Sequence, residues 1–188
     1  MNRLLSLAAA TALFAVPMTA AAQGSDPVLA AFQKICWSAA GDYTAALQNA
    51  KSDNWTETQV QAQSDANVSI TGKAALDKSV DGVDVTLLVT QGLQHTTKMG
   101  DIKVSSCKVT ASKPDAALIG AGKAWLGGTA QDAGDPTLAI YYVKRSAGPP
   151  DHIGQAGANT ALTNGGFGVL KFQQDDSDAI VAYQVFVK

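Results

Sequence analysis

The chain has few of the residues that most often build catalytic or metal centres. It contains two cysteines, Cys36 and Cys107, and two histidines, His95 and His152. A zinc site would therefore need carboxylates or both cysteines to complete its ligand set. The sequence also lacks a Gly-x-Ser-x-Gly nucleophile motif and an evident pair of carboxylates for acid–base work. These absences favour a non-enzymatic protein, and the sequence predicts no cofactor and no metal.

Long apolar runs are missing outside the N-terminus. There, Arg3 precedes an apolar stretch, Leu4–Val16, and Ala20-Ala21-Ala22 follows with small residues in an A-x-A pattern. These three features together are typical of a cleavable signal peptide. We predict that residues 1–22 are such a leader, cleaved after Ala22. The mature chain is then expected to be periplasmic or secreted, without an integral membrane segment.

The chain also lacks an excess of positive charge. Without Arg3 the basic residues fall from 14 to 13, against 16 acidic residues. A weakly acidic surface does not attract nucleic acid, so the sequence predicts no such partner. The remaining chain, 23–188, is about 166 residues long, which is a common size for one domain. We therefore expect a single α+β domain over 23–188.

Helical spacing is evident at the start of the mature chain. Ser25 or Asp26 can cap a helix with Pro27 at its first position, and apolar residues then recur at helical intervals through Cys36. Asp42 can cap a second helix after a glycine break. The sequence predicts a helical hairpin, with Cys36 on its buried side.

Period-two alternation indicates strands further along. Val83–Val89 and Ile102–Val109 flank a turn at Gly100, and a slip in the second run predicts a bulge near Ser105–Ser106. Residues 56–79 are weakly patterned and are expected to be mostly irregular. The later predicted elements are a helix capped by Ser112 and strands at Thr137–Lys144, Gly166–Gln174 and Asp178–Val187. The order ββαβββ predicts an antiparallel sheet of about five strands, with the helices on one face.

The two cysteines are most simply one disulfide in an oxidising compartment. On the chain-entropy model a loop of this size contributes roughly 4 kcal/mol of stability. The alternative is a cell-envelope hydrolase that uses Cys36 and His152, because Cys36-Trp37 with a downstream histidine and Asn159 superficially resembles papain-like peptidases. Those enzymes, however, place the cysteine at a helix N-terminus, and Cys36 falls late in its predicted helix.

Residues 146–165 contain no convincing helix or strand, and loops of this length are often functional. Two prolines stiffen the first half, and Asp151 can orient the imidazole of His152. We predict a binding loop formed by Pro149, Pro150, Asp151, His152 and Ile153.

Phe32-x-x-x-Cys36, followed by Ala46-x-x-x-Ala50-x-x-x-x-Trp55 and a second cysteine in a later strand, resembles small exported proteins of Gram-negative bacteria that have no assigned activity. The resemblance implies an envelope location and a paired cysteine, and it transfers no catalytic residue. We therefore expect a binding, inhibitor or accessory module of the cell envelope with a protein partner. A second alternative to this module is a carrier of a small apolar ligand, held between the helices and the sheet.

Overall fold

The structure is a computed structural model that describes residues 26–60, 68–97, 100–112, 117–127 and 135–188. The predicted leader, residues 1–22, lies outside these ranges. Four α-helices are described: α1 (Pro27–Phe32), which continues as a π-helical turn (Gln33–Trp37), α2 (Tyr43–Ser52), α3 (Leu118–Leu126) and α4 (Gly154–Thr163). None of these helices is both long and apolar enough to cross a membrane.

Seven strands form one antiparallel sheet in the order β1-β2-β3-β4-β7-β6-β5. They are β1 (Thr56–Thr58), β2 (Val68–Val80), β3 (Val83–Thr96), β4 (Gly100–Ser112), β5 (Leu138–Lys144), β6 (Phe167–Gln174) and β7 (Asp178–Val187). The predicted α+β class and antiparallel sheet are confirmed, but the expected number of five strands is wrong. The two additional strands, β1 and β2, lie in the stretch 56–79 that was expected to be mostly irregular.

The reason for this error is visible in β2. Ala74, Ala75 and Leu76 are consecutive and all buried, so the strand shows no clean alternation at its centre. Its pairing with β3 runs along almost its full length, from Val68 to Val80. Neighbouring strands, rather than its own apolar pattern, hold this segment extended.

Helices pack on both faces of the sheet. Helices α1, α2 and α3 contribute to one continuous core on the face that we call the helical face, together with Leu76, Leu87, Val109, Phe172 and Val181. Helix α4 packs on the opposite face, where Leu162 contacts a small separate cluster of apolar side chains. This cluster contains Ile102, Val104, Phe167 and Phe186. The three predicted helices therefore cover one face, as expected, and α4, which the sequence did not predict, lies on the other.

This arrangement also explains the slip in the alternation of β4. The pairing of β4 with β3 is regular from Gly100 to Ala111, so the predicted bulge near Ser105–Ser106 is absent. Ile102 and Val104 face α4, whereas Cys107 and Val109 face the core under the other helices. A regular strand whose two halves are buried on opposite faces gives the same sequence pattern as a bulged strand.

The predicted caps of the first two helices are confirmed. Asp26 accepts hydrogen bonds from the amides of Val28 and Leu29, and Asp42 accepts one from the amide of Ala45. These bonds satisfy amide groups that have no partner inside the helix.

The start of α3 differs from the prediction. Ser112 ends β4 instead of capping the helix, and residues 113–116, which follow it, lie outside the described residues. The amide of Leu118 instead donates to Oε1 of Gln174 at 3.1 Å. A side chain from β6 therefore provides the partner that the sequence assigned to a local serine.

Two glycines of α3 provide a test of this packing. Gly122 is buried, and a Cβ atom there would lie 2.7 Å from two ring carbons of Phe172, whereas Gly120 is exposed and has open space around it. We expect Gly122→Ala to lower the free energy of unfolding by about 1–3 kcal/mol. Gly120→Ala should raise it by about 0.5–1 kcal/mol, because alanine favours the helix. Urea denaturation measures both, and equal effects would contradict the close approach of α3 to β6.

Asp53 joins three segments of the chain at the end of α2. Its carboxylate accepts from the ammonium groups of Lys34 and Lys78 and from the indole N–H of Trp55, which lies 3.2 Å away. Burial alone would raise the pKa of Asp53, but the hydrogen bonds from Lys34, Lys78 and Trp55 outweigh it and hold the pKa below its usual value.

We expect Asp53→Asn to lower Tm by roughly 2–4 °C at neutral pH, as for a loss of about 1 kcal/mol. Because the folded pKa of this carboxyl lies below its unfolded value, its contribution is complete above the unfolded pKa and disappears as the pH falls through the folded pKa. The difference in Tm between variant and wild type should therefore vanish at low pH. Asp81→Asn, in the exposed turn between β2 and β3, is the control. A difference that persists in acid would contradict the role of the Asp53 charge.

Candidate binding loop

The segment 146–165 was predicted to be a loop throughout, but only its first half is irregular and its second half is mostly helical. Helix α4 occupies Gly154–Thr163, and the irregular part is the segment that we call the 146–153 loop. The helix has a weak signal in the sequence because it buries only two side chains, Ala158 and Leu162, one turn apart. All five predicted loop residues, Pro149 to Ile153, lie within the 146–153 loop.

The end of the 146–153 loop pairs with the outer edge of β5. The amide of Lys144 donates to the carbonyl of Asp151 at 2.9 Å, and the amide of Ile153 donates to the carbonyl of Tyr142 at 3.0 Å. Val143 and His152 form the bridge between them. The side chains of Lys144 and Asp151 also form a salt bridge at 2.5 Å. The loop therefore returns to the strand from which it started and covers part of a sheet edge.

The tip of the loop is held by the helical face. The indole Nε1 of Trp37 donates to the carbonyl of Gly148 at 2.9 Å, and the hydroxyl of Ser146 accepts from the amide of Gly148 at 2.8 Å. At the base, Nε of Arg145 donates to the carbonyl of Ala40 at 2.9 Å. Sequence reasoning missed both anchors, Trp37 and Arg145, because each lies more than 100 positions from its acceptor.

His152 is one of the predicted binding-loop residues, and its ring has a structural partner. Its Nε2 lies 3.1 Å from the carbonyl of Leu126 at the end of α3, so this nitrogen carries the hydrogen and donates. The ring also lies against Tyr141, with centroids 5.6 Å apart. This contact satisfies a terminal carbonyl of α3, and the residue as a whole remains exposed.

The core beneath the loop is rich in aromatic rings. Trp37 packs against Trp125 and Tyr183, with centroids 5.2 and 5.0 Å away. Burial raises the pKa of the Tyr183 hydroxyl to about 12, against smaller opposing effects of the Ser146 amide and the Arg145 charge. Rings packed in this way fix the direction of the Trp37 indole, and with it the position of the loop tip.

The predicted disulfide is confirmed. Cys36 in the π-helical turn is bonded to Cys107 in β4, with Cα atoms 5.5 Å apart and a separation of 71 positions in the sequence. The exposed fraction is 0% for Cys36 and 3% for Cys107. The hydrolase alternative requires a free thiol at Cys36, and the described residues include no free cysteine.

Among the described residues, no three His, Cys, Asp or Glu side chains come together as a set of metal ligands. Comparison with known proteins finds no matching family model, no matching curated protein and no matching solved structure. The resemblance to small exported proteins therefore stays a prediction.

The disulfide gives a direct prediction. Unreduced, denatured protein should contain no titratable thiol. Replacing both cysteines, as Cys36→Ala with Cys107→Ala, should lower the free energy of unfolding by roughly 4 kcal/mol, because the unfolded chain is then no longer constrained. Chemical denaturation measures the loss. Two thiols in protein purified without reductant would contradict the bond.

Proposed function

We propose that this protein is an exported, non-enzymatic module of the cell envelope, an inhibitor or adaptor that presents the 146–153 loop to a partner protein. The single observation that carries the proposal is that the loop's backbone is anchored along its length while several of its side chains face solvent. Pro149, Asp151 and His152 are exposed, and Pro150 and Ile153 are half-buried. A loop fixed before binding loses less conformational entropy when a partner docks.

The chemistry of the exposed residues suits recognition by another protein. Pro149 and Pro150 restrict the backbone at the tip. The Asp151 carboxylate forms a salt bridge with Lys144. A partner protein would therefore contact an ion pair of fixed orientation rather than an unpaired charge. The imidazole edge of His152 adds a polar group beside an apolar proline surface. A polar and charged surface of this kind is typical of the solvent-accessible rim of a protein interface.

The disulfide supports the export part of the proposal. Disulfides persist in oxidising compartments and are rare in a reducing cytosol. A chain that carries a leader and one buried disulfide fits the periplasm or the exterior of the cell. The carrier alternative has less support, because the space between α1, α2, α3 and the sheet is filled by one continuous core.

Crosslinking in living cells tests the loop. A photo-reactive benzoyl-phenylalanine replaces Pro149 in one protein and Gln48, an exposed residue of α2, in the matched control. We expect a discrete crosslinked product from position 149 and none of the same mass from position 48. The same products from both positions, or none from either, would contradict the proposal.

Once a partner is captured, the effect of anchoring the loop on binding can be measured separately from the effect of the loop residues themselves. Trp37→Phe removes the hydrogen bond to Gly148 and leaves every loop residue unchanged. We expect about fivefold weaker binding, since the loop is no longer fixed in advance. Trp125→Phe makes the same truncation in the same aromatic group without removing that bond. If Trp37→Phe and Trp125→Phe bind equally well, anchoring has no role in recognition.

A further inference from the structure

The helical face has a cavity of about 540 Å³ that neither the disulfide nor the 146–153 loop requires. One side of the cavity is formed by the turn between α1 and α2. The other side is formed by the parts of β3, β4 and β7 that these helices leave uncovered. Lys103 and Ser105 line it from β4, four and two positions before Cys107, and therefore on the same face as the disulfide. Leu93 and Val187 line it from the neighbouring strands.

Local backbone features shape this cavity. β2 has an irregularity between Ile70 and Gly72, which turns the end of the strand, and Thr71 at that point lines the cavity. Gly92 allows β2 to approach closely, because a Cβ atom there would lie 2.5 Å from the carbonyl oxygen of Ser69. The turn at Gly41 is equally tight, because a Cβ atom there would lie 2.3 Å from a methyl carbon of Val185.

The charges around the cavity are unbalanced. Lys103 and Arg145 line it, and within the described part of the chain neither forms a salt bridge with a carboxylate. The acid among the described lining residues is Asp42, and its Oδ1 already accepts from the amide of Ala45 at 2.8 Å. The adjacent N-terminal end of α2, which has 10 residues, adds partial positive charge. The site therefore attracts anions.

The walls add an apolar component. The half-buried side chains of Leu93 and Val187 pair with Lys103 from either side and form an apolar strip around it, and Gln91 adds an amide. A concave site of this volume, with apolar walls and a few converging polar groups, is typical of small-molecule binding. An inorganic anion would leave the apolar strip unused, and a neutral apolar molecule would leave Lys103 and Arg145 without a counter-charge.

We propose that this cavity binds a small organic anion with an apolar body, with its acidic group at Lys103 and Arg145 and its body against Leu93 and Val187. The proposal is independent of a protein partner at the 146–153 loop. It assigns a ligand class to a part of the sheet that the loop does not use.

Two fluorescent dyes test the proposal directly. Anilinonaphthalene sulfonate and phenylnaphthylamine share the same aromatic body and differ by the sulfonate. Titration of the folded, disulfide-bonded protein at physiological ionic strength restricts charge effects to about 8 Å. We expect anilinonaphthalene sulfonate to bind at least about tenfold more tightly than phenylnaphthylamine. Equal affinities, or no binding of the sulfonate, would overturn the proposal.

A matched pair of variants locates the site. Lys103→Glu reverses a charge in the cavity, and Lys108→Glu makes the same change on the same strand but on the opposite face. We expect Lys103→Glu to weaken sulfonate binding about tenfold and to leave phenylnaphthylamine binding unchanged, with no effect from Lys108→Glu. Lys103→Gln, a milder change, should give a smaller loss and guards against misfolding. Equal losses in the two reversals, or no loss in Lys103→Glu and Lys103→Gln, would contradict the assignment.

Discussion

The bond between Cys36 and Cys107 fixes the first helix on the middle strand of the sheet, and several other contacts depend on that position. Cys36 lies in the π-helical turn Gln33–Trp37, and Ile35, Cys36 and Trp37 are all buried there. Trp37 is the next residue in the chain, so fixing the cysteine also fixes the indole that holds Gly148. One covalent bond thus orients the aromatic core and, through a single hydrogen bond, the tip of the 146–153 loop.

The loop is where the chain crosses from the helical face to the opposite face. β5 is the edge strand of the sheet. The chain leaves it to contact Ala40, Trp37 and Leu126 on the helical side before α4 begins on the other. A crossing of this kind exposes backbone groups that need partners. The pairing of residues 151–153 with β5 satisfies some of them and also protects the edge strand. These needs explain the anchored backbone and the contacts of Asp151 and His152 with Lys144 and Leu126, but they do not explain the exposed Pro149.

The sequence was most informative where local chemistry decides the structure. The caps at Asp26 and Asp42, the β3–β4 hairpin and the last strand, Asp178–Val187, follow from residues close together in the chain. The disulfide followed from compartment and cysteine count rather than from spacing. β2 and α4 were missed because their burial depends on distant partners. Ala158 and Leu162 in α4 are too few to produce a recognisable helical stripe, and β2 is buried on both faces at its centre.

The same distinction applies to the candidate sites. Pro149 to Ile153 were found from their own composition, but the anchors Trp37 and Arg145 were invisible to local reasoning because their acceptors are far away in the chain. The cavity could not be predicted at all, since Lys103 and Arg145 come to line the same cavity only through the order of the strands. Arg145 also contacts Ala40 at the base of the loop, so substituting it disturbs both candidate sites. Lys103 lines the cavity and has no contact with the 146–153 loop in the described structure. A substitution of Lys103 therefore tests ligand binding without disturbing the loop.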